Sequence, residues 1–475
     1  MSTILGRISI GLVSMALLSA CASLPRDPQT PKIQSAANLA SKQSFAADAT
    51  PWPGDNWWRA YGDAQLDQLV DEALAGSPQV ATAQARLDKA NAVVGQARAS
   101  LAPALTANGT AGETKQSYNE GIPPEFVPKG YNSFGGLTLN FNYEIDFWGK
   151  NRAAVAAATS EARASRADVA QARLVLSTAI AAAYADLARL WAERDVAIRA
   201  EQSRRETLQL VDRRVTNGLD TRGELEQARA GPPAAVADIA AIDEEITITQ
   251  HQIAALMGEG PDRGLAIARP PLATLKAFGL PATLAADLMG RRPDLTAARW
   301  RATEAAKRVR QARAAFYPNV NLAAFVGYQS LGLSNLFAYG SNVGQVAPAV
   351  SLPIFDGGQL RSSLRGASAD YAVAVASYDQ TLVQALQEVA DAATSQRALA
   401  QRLDATDQAL AADEQAYHIA RLRYDGGLAN YQTVLLAEDA VLQARRTVVD
   451  LQARAFTLDV QLVRALGGGY SAAEE

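Results

Sequence analysis

The chain has 475 residues; 48% of them are hydrophobic, yet only 7% are aromatic. Alanine supplies much of the apolar content, which favours long, closely packed helices in a protein large enough for two or three ordinary domains. The formal charge of −4 gives no electrostatic reason to expect a nucleic-acid partner. No run of about eighteen apolar residues follows the first two dozen positions, so we expect no transmembrane helix there.

Residues 1–20 have the layout of a signal peptide. Arg7 flanks a short apolar core at residues 8–18, which is followed by Ser19, Ala20 and Cys21. Cys21 is the only cysteine, so it forms no disulfide within one chain, and a small buried residue is the alternative interpretation. The Leu-Ser-Ala-Cys box resembles the bacterial lipoprotein signal, which implies cleavage before Cys21 and lipidation of its sulfur and new amino terminus. Ala22 follows where retention in the inner membrane usually has Asp, which favours the outer membrane.

The rest of the chain contains two copies of one unit. Matching residues lie at nearly constant separation, 215 positions apart in the first part of each unit and 209 or 210 in the later part. In chain order the pairs are Pro78 and Pro293, Gln96 and Gln311, Pro103 and Pro318, Arg214 and Arg423, Gly218 and Gly427, Leu219 and Leu428, and Ala255 and Ala465. An ordered series of this kind indicates an internal repeat.

Each unit is predicted to have the same order of elements. A helix (64–100 and 282–315) ends near a proline, and two strands follow, separated by a loop rich in Gly, Ser and Asn. Next come a very long helix (150–216 and 360–424), a glycine turn and a shorter helix (222–257 and 431–466). The long helices would be roughly 100 Å long and the short ones roughly 54 Å, so two short helices end to end match one long helix. A wall of helices and a solid coiled-coil rod both fit this pattern.

The strands predict a sheet with one apolar face. Leu137, Leu139, Phe141, Tyr143 and Ile145 alternate with Thr138, Asn140, Asn142, Glu144 and Asp146. This length matches a tilted membrane-spanning strand of about 9–11 residues, although alternation also fits a half-buried sheet in a soluble protein. Val346, Val350, Leu352 and Ile354 repeat the pattern more weakly, and partner strands begin at Leu105 and Val320. Four strands cannot close a barrel, so subunits must pool their strands in a cyclic oligomer.

Several motifs together resemble the TolC-like outer-membrane efflux channel family, in its lipoprotein branch that serves resistance-nodulation-division pumps. The resemblance covers nearly all of the chain after residue 20. Its marks are Trp57-Trp58 with Tyr61 and Asp63, Tyr143-Glu144-Ile145-Asp146-Phe147-Trp148-Gly149-Lys150, Leu280-Pro281, Arg291-Arg292-Pro293-Asp294-Leu295, Phe316-Tyr317-Pro318, and Pro353-Ile354-Phe355-Asp356-Gly357-Gly358.

The resemblance implies an α+β membrane protein that forms a homotrimer, with a 12-stranded outer-membrane β-barrel continued by a long periplasmic α-helical barrel. Four strands would come from each chain. The implied function is a passive exit duct for small toxic compounds, driven by an inner-membrane resistance-nodulation-division pump through a periplasmic adaptor (membrane fusion) protein. No catalytic constellation stands out in the sequence, so we expect no enzymatic activity and no cofactor apart from the covalent lipid on Cys21.

We divide the chain accordingly. Residues 1–20 are the signal peptide, and residues 21–63 are a lipid-anchored N-terminal segment of the equatorial region. The first repeat is 64–258, the linker is 259–281, the second repeat is 282–468, and the C-terminal tail is 469–475.

The resemblance also implies a gate beside the two glycine turns, which would lie at the periplasmic tip. In the family, tyrosine, arginine and acidic residues there link neighbouring hairpins and keep the mouth closed. Tyr424 and Arg423 match the tyrosine and a basic neighbour, and Glu224 matches the acidic position. We expect the Tyr424 hydroxyl to donate to Glu224 and an arginine to pair with this carboxylate. Leu428 is the next candidate, as an apolar constriction.

The family's two constriction aspartates align with Thr433 and Leu436, which leaves Asp425 or Glu438 as candidates for a cation-binding ring. Gly231-Pro232-Pro233 also departs from the family and predicts a break or kink in the short helix. His251 and His418 each lie alone in a helical stretch, so no metal site is predicted.

Two alternatives to a drug-export duct remain. One is an exit duct for secreted polypeptide, and the other is a lipid-anchored coiled-coil scaffold without a pore.

Overall fold

The structure, a computed structural model, describes residues 31–35, 38–40, 45, 51–271 and 290–472. The strands are β1 (Ala104–Thr114), β2 (Asn132–Glu144), β3 (Asn319–Leu331) and β4 (Asn342–Ser351). The helices are α1 (Ala64–Gly76), α2 (Pro78–Ala99), α3 (Lys150–Thr216), α4 (Arg222–Met257), α5 (Pro261–Leu265), α6 (Pro293–Ala314), α7 (Gln359–Asp425) and α8 (Tyr431–Ala465). The strands, long helices and shorter helices that follow them occur in the predicted order, and both long helices have 67 residues.

The first predicted helix is two helices in the structure. α1 ends at Gly76, and Ser77 is extended with ψ 127° because the ring of Pro78 disfavours helical backbone in the residue before it. Pro78 then opens α2, where its missing N–H costs nothing. Pro293 opens α6 in the same way, so this pair of the repeat has one structural role.

The chain divides into two compact units. One contains residues 87–165 and 298–378, and in it the four strands form one antiparallel sheet in the order β1-β2-β3-β4. Phe141 lies opposite Leu105 and Ala324, and Leu139 lies opposite Ala107 and Val326. Directly paired residues point to the same side of an antiparallel sheet, so the register places most of the large apolar residues on one face, although Phe325, opposite Asn140 and Gln345, lies on the other.

That face is open. Leu105, Val326 and Val346 are 63%, 62% and 74% exposed. The opposite face carries polar residues, among them Thr106, Asn108, Thr138, Asn140, Asn142, Gln329 and Gln345.

The second unit contains residues 34–86, 166–297 and 379–475. Trp57 and Trp58 are 2% and 4% exposed and pack edge to face, so both are core aromatics. Their cluster includes Leu66, Leu69, Ile180, Leu187, Ile253, Met257 and Val463.

The Arg-Arg-Pro-Asp motif of this unit contains a buried cation. The side chain of Arg292 is 7% exposed and pairs with Asp294 at 2.6 Å and Glu388 at 2.8 Å. It also donates to the carbonyl oxygen of Ala465 at the end of α8. Burial alone would lower the pKa of Arg292, but the two carboxylates raise it, so the buried guanidinium is charged.

The predicted break at Gly231-Pro232-Pro233 is wrong. α4 runs without interruption from Arg222 to Met257, with both prolines inside it. Two missing N–H groups deprive the carbonyls of Ala228 and Arg229 of their usual partners, but Leu225, Ala228 and Ala235 keep one face buried across the site. Packing of this face therefore outweighs the local cost of the prolines.

The expectation that no segment is apolar enough to cross a membrane also needs correction. By length and composition, α3 contains such an 18-residue stretch. Of that stretch 67% is buried, as in a helix packed in a protein core.

Candidate functional site

Each pair of strands leads into a long helix through an aspartate. Asp146 accepts hydrogen bonds from the backbone N–H groups of Asn151 and Arg152 at 3.2 and 2.8 Å, at the start of α3. Asp356 accepts from the N–H groups of Gly358 and Leu360 at 2.9 and 2.7 Å, at the start of α7. Carboxylates at these positions satisfy helix N-terminal donors and favour the positive end of the helix dipole.

These hydrogen bonds also lower the pKa values of both carboxyl groups. Burial would raise the pKa of Asp146, but the bonds from Arg152 and Asn151 lower it overall, and the bond from Leu360 lowers the pKa of Asp356. Gly149 and Gly358 have φ of +77° and +92°, a conformation that other residues adopt only with strain. The two motifs that mark the resemblance are thus equivalent turns from strand to helix, and this is why β2 and β4 end before the predicted alternation does.

Aromatic residues lie at both ends of the sheet. Beside the start of α3, the ring of Trp148 stacks on that of Tyr317, with 4.6 Å between the ring centres. The indole N–H of Trp148 donates a hydrogen bond to the carbonyl oxygen of Pro318 at 2.9 Å. Nearby in the chain, Phe147 and Phe355 are 62% and 92% exposed. The loops at the other end carry exposed Phe126, Tyr131, Phe337 and Tyr339. An apolar band between two sets of aromatic side chains is typical of a membrane-spanning strand region.

The two glycine turns are nearly identical. The N–H of Leu219 donates to the carbonyl of Arg214 at 2.8 Å, and that of Leu428 donates to Arg423 at 2.7 Å. Gly218 and Gly427 have φ of +72° and +74°. A hydrogen bond that closes a turn of six residues, with glycine in the left-handed conformation, is a Schellman motif. Such a motif ends a helix sharply.

A charged cluster joins the two turns. The hydroxyl of Tyr424, on α7, donates to Asp220, which follows the first turn. Arg214 pairs with Asp220 at 3.0 Å, and its guanidinium carbon lies 4.4 Å from the centre of the Tyr424 ring. The side chains of Arg214 and Asp220 are only 11% and 6% exposed. We call Arg214, Asp220 and Tyr424 the turn cluster.

Electrostatics fit this geometry. Burial, followed by the hydrogen bond to Asp220, raises the pKa of Tyr424, so its hydroxyl keeps the proton that it donates. The hydrogen bond to Asp220 raises the pKa of Arg214. Val211, Leu225, Tyr431 and Val434 pack around the cluster.

Within this chain Tyr424 donates to Asp220 and not to Glu224, and a gate role for Glu224 and Arg423 stays a prediction. Glu224 instead forms a capping box with Thr221, accepting from its N–H at 2.7 Å, because the start of α4 needs acceptors. The arginine of the turn cluster is Arg214, the repeat mate of Arg423, whose own side chain is exposed. Arg214 could have been found from the repeat, and Asp220 from its place directly after the Gly-Leu turn.

The other residues predicted for the gate or for a cation-binding ring lie in different surroundings. Asp425 is exposed, and its carbonyl oxygen accepts from Arg214 at 3.4 Å. Leu428 is 73% exposed, as is fitting for a residue that could narrow an opening. Leu436 is 64% exposed, whereas Glu438 is 3% exposed and enclosed between helices, so Glu438 is not available for a ring of surface carboxylates. Cys21 lies outside the described residues.

A sheet with one apolar and one polar face, aromatic residues at both of its ends and strands that lead into helices of 67 residues defines a subunit of an outer-membrane channel. The chain belongs to the outer membrane efflux protein family, whose sequence pattern matches residues 69–259 and 284–468. The predicted family, fold class and outer-membrane location are confirmed, and the family consists of export ducts and not of enzymes.

Individual relatives support the assignment to this family. The chain is 36% identical over 375 residues to the fusaric acid resistance protein FusA of Burkholderia cepacia, covering 77% of this chain and 70% of FusA. It is 31% identical over 479 residues to the multidrug resistance outer membrane protein MdtP of Escherichia coli O6:H1, covering 97% and 96% of the two chains. The crystal structure of the outer membrane protein VceC from Vibrio cholerae has a TM-score of 0.84 and 48% identity, covering 88% of this chain and 100% of VceC.

Proposed function

We propose that the protein is the outer-membrane exit duct of a tripartite efflux system and passes small toxic compounds out of the cell. The observation that carries the proposal is the sheet: it has an apolar face suited to lipid and a polar face suited to a water-filled lumen. Membership of the outer membrane efflux protein family supports the direction of transport.

The duct is a homotrimer. β1 and β4 are the outer strands of the four-stranded sheet, and each has one edge that pairs with no other described strand. Such an edge cannot face lipid, because its N–H and C=O groups would lack partners. The smallest closed membrane barrels have about 8 strands, so the sheets of several chains must join, and three chains give twelve strands.

The partners are a periplasmic adaptor and an inner-membrane pump of the resistance-nodulation-division class. A passive duct does not itself drive substrate against a gradient, and a pump of this class would supply the energy. The names of FusA and MdtP point to fusaric acid and to several drugs as the compounds that those relatives confer resistance to. We extend this to small organic toxins here.

Lipid on Cys21 anchors each chain beside the barrel. Several acyl chains on one residue give a durable attachment, whereas a single chain gives only marginal binding.

The turn cluster closes the duct at the end of the hairpins. The α3–α4 hairpin and the α7–α8 hairpin are joined by the hydrogen bond from Tyr424 to Asp220 and by the contact of Arg214 with the Tyr424 ring. Contacts of this kind are strong enough to define a closed arrangement and few enough for a partner protein to undo. Leu428 provides an exposed apolar side chain at the same turns.

An efflux assay in cells tests the proposal. Cells that lack their own exit duct and produce this chain with its pump and adaptor should exclude a fluorescent drug and regain resistance to fusaric acid. Cells with the pump and adaptor alone are the control. Equal drug accumulation in both would refute the export function.

A further inference from the structure

Glu438 is a carboxyl group enclosed where three helices meet. It lies on α8, is 3% exposed, and has near it Ser203 of α3, whose hydroxyl favours the ionised form of the carboxyl group. The Ser203 hydroxyl lies 3.0 Å from the hydroxyl of Tyr417 on α7. All three helices belong here to one chain, so the burial of Glu438 does not depend on a neighbouring subunit.

The carboxyl group is incompletely satisfied. Its Oε1 atom and the Nε atom of Arg204 are both buried and have no hydrogen-bond partner within the described residues. Arg204 directs Nη2 instead to Asp439, at 3.4 Å, whose side chain is 55% exposed. Arg204 is thus paired with the exposed carboxylate of Asp439 and not with the buried carboxylate of Glu438. An enclosed carboxyl group in this condition favours its neutral form.

Charged groups on each of the three helices influence whether Glu438 is ionised. Arg204 on α3 and Arg421 on α7 favour the ionised form of Glu438, and Asp439 on α8 disfavours it. Arg421 is itself paired with Glu206 at 3.5 Å. Burial is the largest influence, and together these groups raise the pKa of Glu438 above its ordinary 4.5.

We propose that Glu438 is a proton-binding site that couples the packing of α8 against α3 and α7 to pH, and so controls how readily the hairpins open. The proposal rests on the channel function proposed above. The packed arrangement fits the neutral carboxyl, so it is most stable at acid pH. It loses stability as pH rises through the raised pKa, where an ionised group must stay enclosed.

The site is placed to act on the turn cluster. Glu438 lies two helical turns from Tyr431, the first residue of α8, and the rings of Tyr431 and Tyr424 are 6.2 Å apart. On ionisation, Arg204 can exchange Asp439 for Glu438 as its partner. Such an exchange moves α8 against α3, next to the tyrosine that holds Asp220.

Two measurements on the purified full-length protein test the proposal. The first is single-channel conductance in planar bilayers from about pH 5 to about pH 8. We expect the open fraction of the parent to rise several-fold over this range and that of Glu438→Gln to stay constant, because the amide is neutral and similar in size. Glu414→Gln is the matched control, since Glu414 is an exposed carboxylate on α7 paired with Arg445. It should behave as the parent does.

The second measurement is hydrogen exchange of the α8 amides around Val434 and Val441, corrected for the intrinsic effect of pH. Protection should fall with rising pH in the parent and not in Glu438→Gln. A parent that shows no pH dependence, or a variant with the same dependence, would overturn the proposal.

Two further outcomes distinguish a variant that fails to fold from a failure of the proposed channel function. A site that prefers the neutral form accepts neutral side chains, so Glu438→Gln and Glu438→Met should both assemble; failure of both contradicts the proposal. If no protein conducts at any pH, the channel function fails, and hydrogen exchange alone still decides the role of Glu438.

Discussion

Removing the Tyr424 hydroxyl is the sharpest test of how the hairpins are held together. Tyr424→Phe deletes the hydrogen bond to Asp220 and keeps the ring over Arg214. Asp220 stays paired with Arg214, so no buried charge is left without a partner. The substitution therefore isolates one contact between the two hairpins.

The expected magnitude follows from the type of contact. A hydrogen bond to a charged group contributes about 1.5–3 kcal/mol. If the bond exists only in the closed arrangement, its loss shifts the balance toward the open one by a factor of up to about 150. Asp220→Asn should shift it in the same direction but less, because an amide oxygen still accepts from Tyr424, more weakly than the carboxylate does.

The assay is single-channel recording, with Glu224→Gln as the control. Glu224 contributes to the capping box of α4 and not to the turn cluster, and glutamine makes the same capping contact, so we expect its variant to keep α4 and to conduct as the parent does. The reasoning fails if Tyr424→Phe and Asp220→Asn both keep the open fraction of the parent, or if Glu224→Gln opens the channel as strongly as they do.

Three further predictions concern other parts of the chain. Leu139→Arg places a charge on the apolar face and should destabilise insertion into vesicles by about 2–4 kcal/mol, whereas Asn140→Arg on the polar face should insert normally; equal insertion of both would refute the assignment of faces. Asp146→Ala should lower stability by about 0.5–2 kcal/mol near neutral pH. Because the pKa of Asp146 is lowered in the folded protein, the difference should be full above pH 3.8 and vanish as pH falls through the lowered value, which thermal unfolding at several pH values measures. Cys21→Ser should remove the lipid mass from the mature protein, and an unmodified amino terminus in the parent would contradict the anchor.

The sequence was sufficient to predict the elements because their signals are local or repeated. α3 and α4 begin and end at the predicted residues, since the Gly-Leu turn and its N-cap punctuate the chain there. The repeat then transferred the same boundaries to α7 and α8 within one residue. The split at Ser77 was missed although Pro78 carries a local signal for it.

The side-chain partners could not be predicted in the same way. Whether Tyr424 meets Glu224 or Asp220 depends on how two hairpins pack, and both carboxylates lie close to the same turn in sequence. The burial of Glu438 likewise results from the meeting of three helices. The continuity of α4 through Pro232 and Pro233 is a third case, in which packing outweighs a strong local signal.

The central claim is that each chain contributes four strands to a barrel shared by three chains. Native mass spectrometry of the detergent-solubilised protein tests it most directly, with circular dichroism of the same sample to measure strand content. The account predicts a complex of three chains and no stable folded monomer. A compact monomer that retains its full strand content would contradict it.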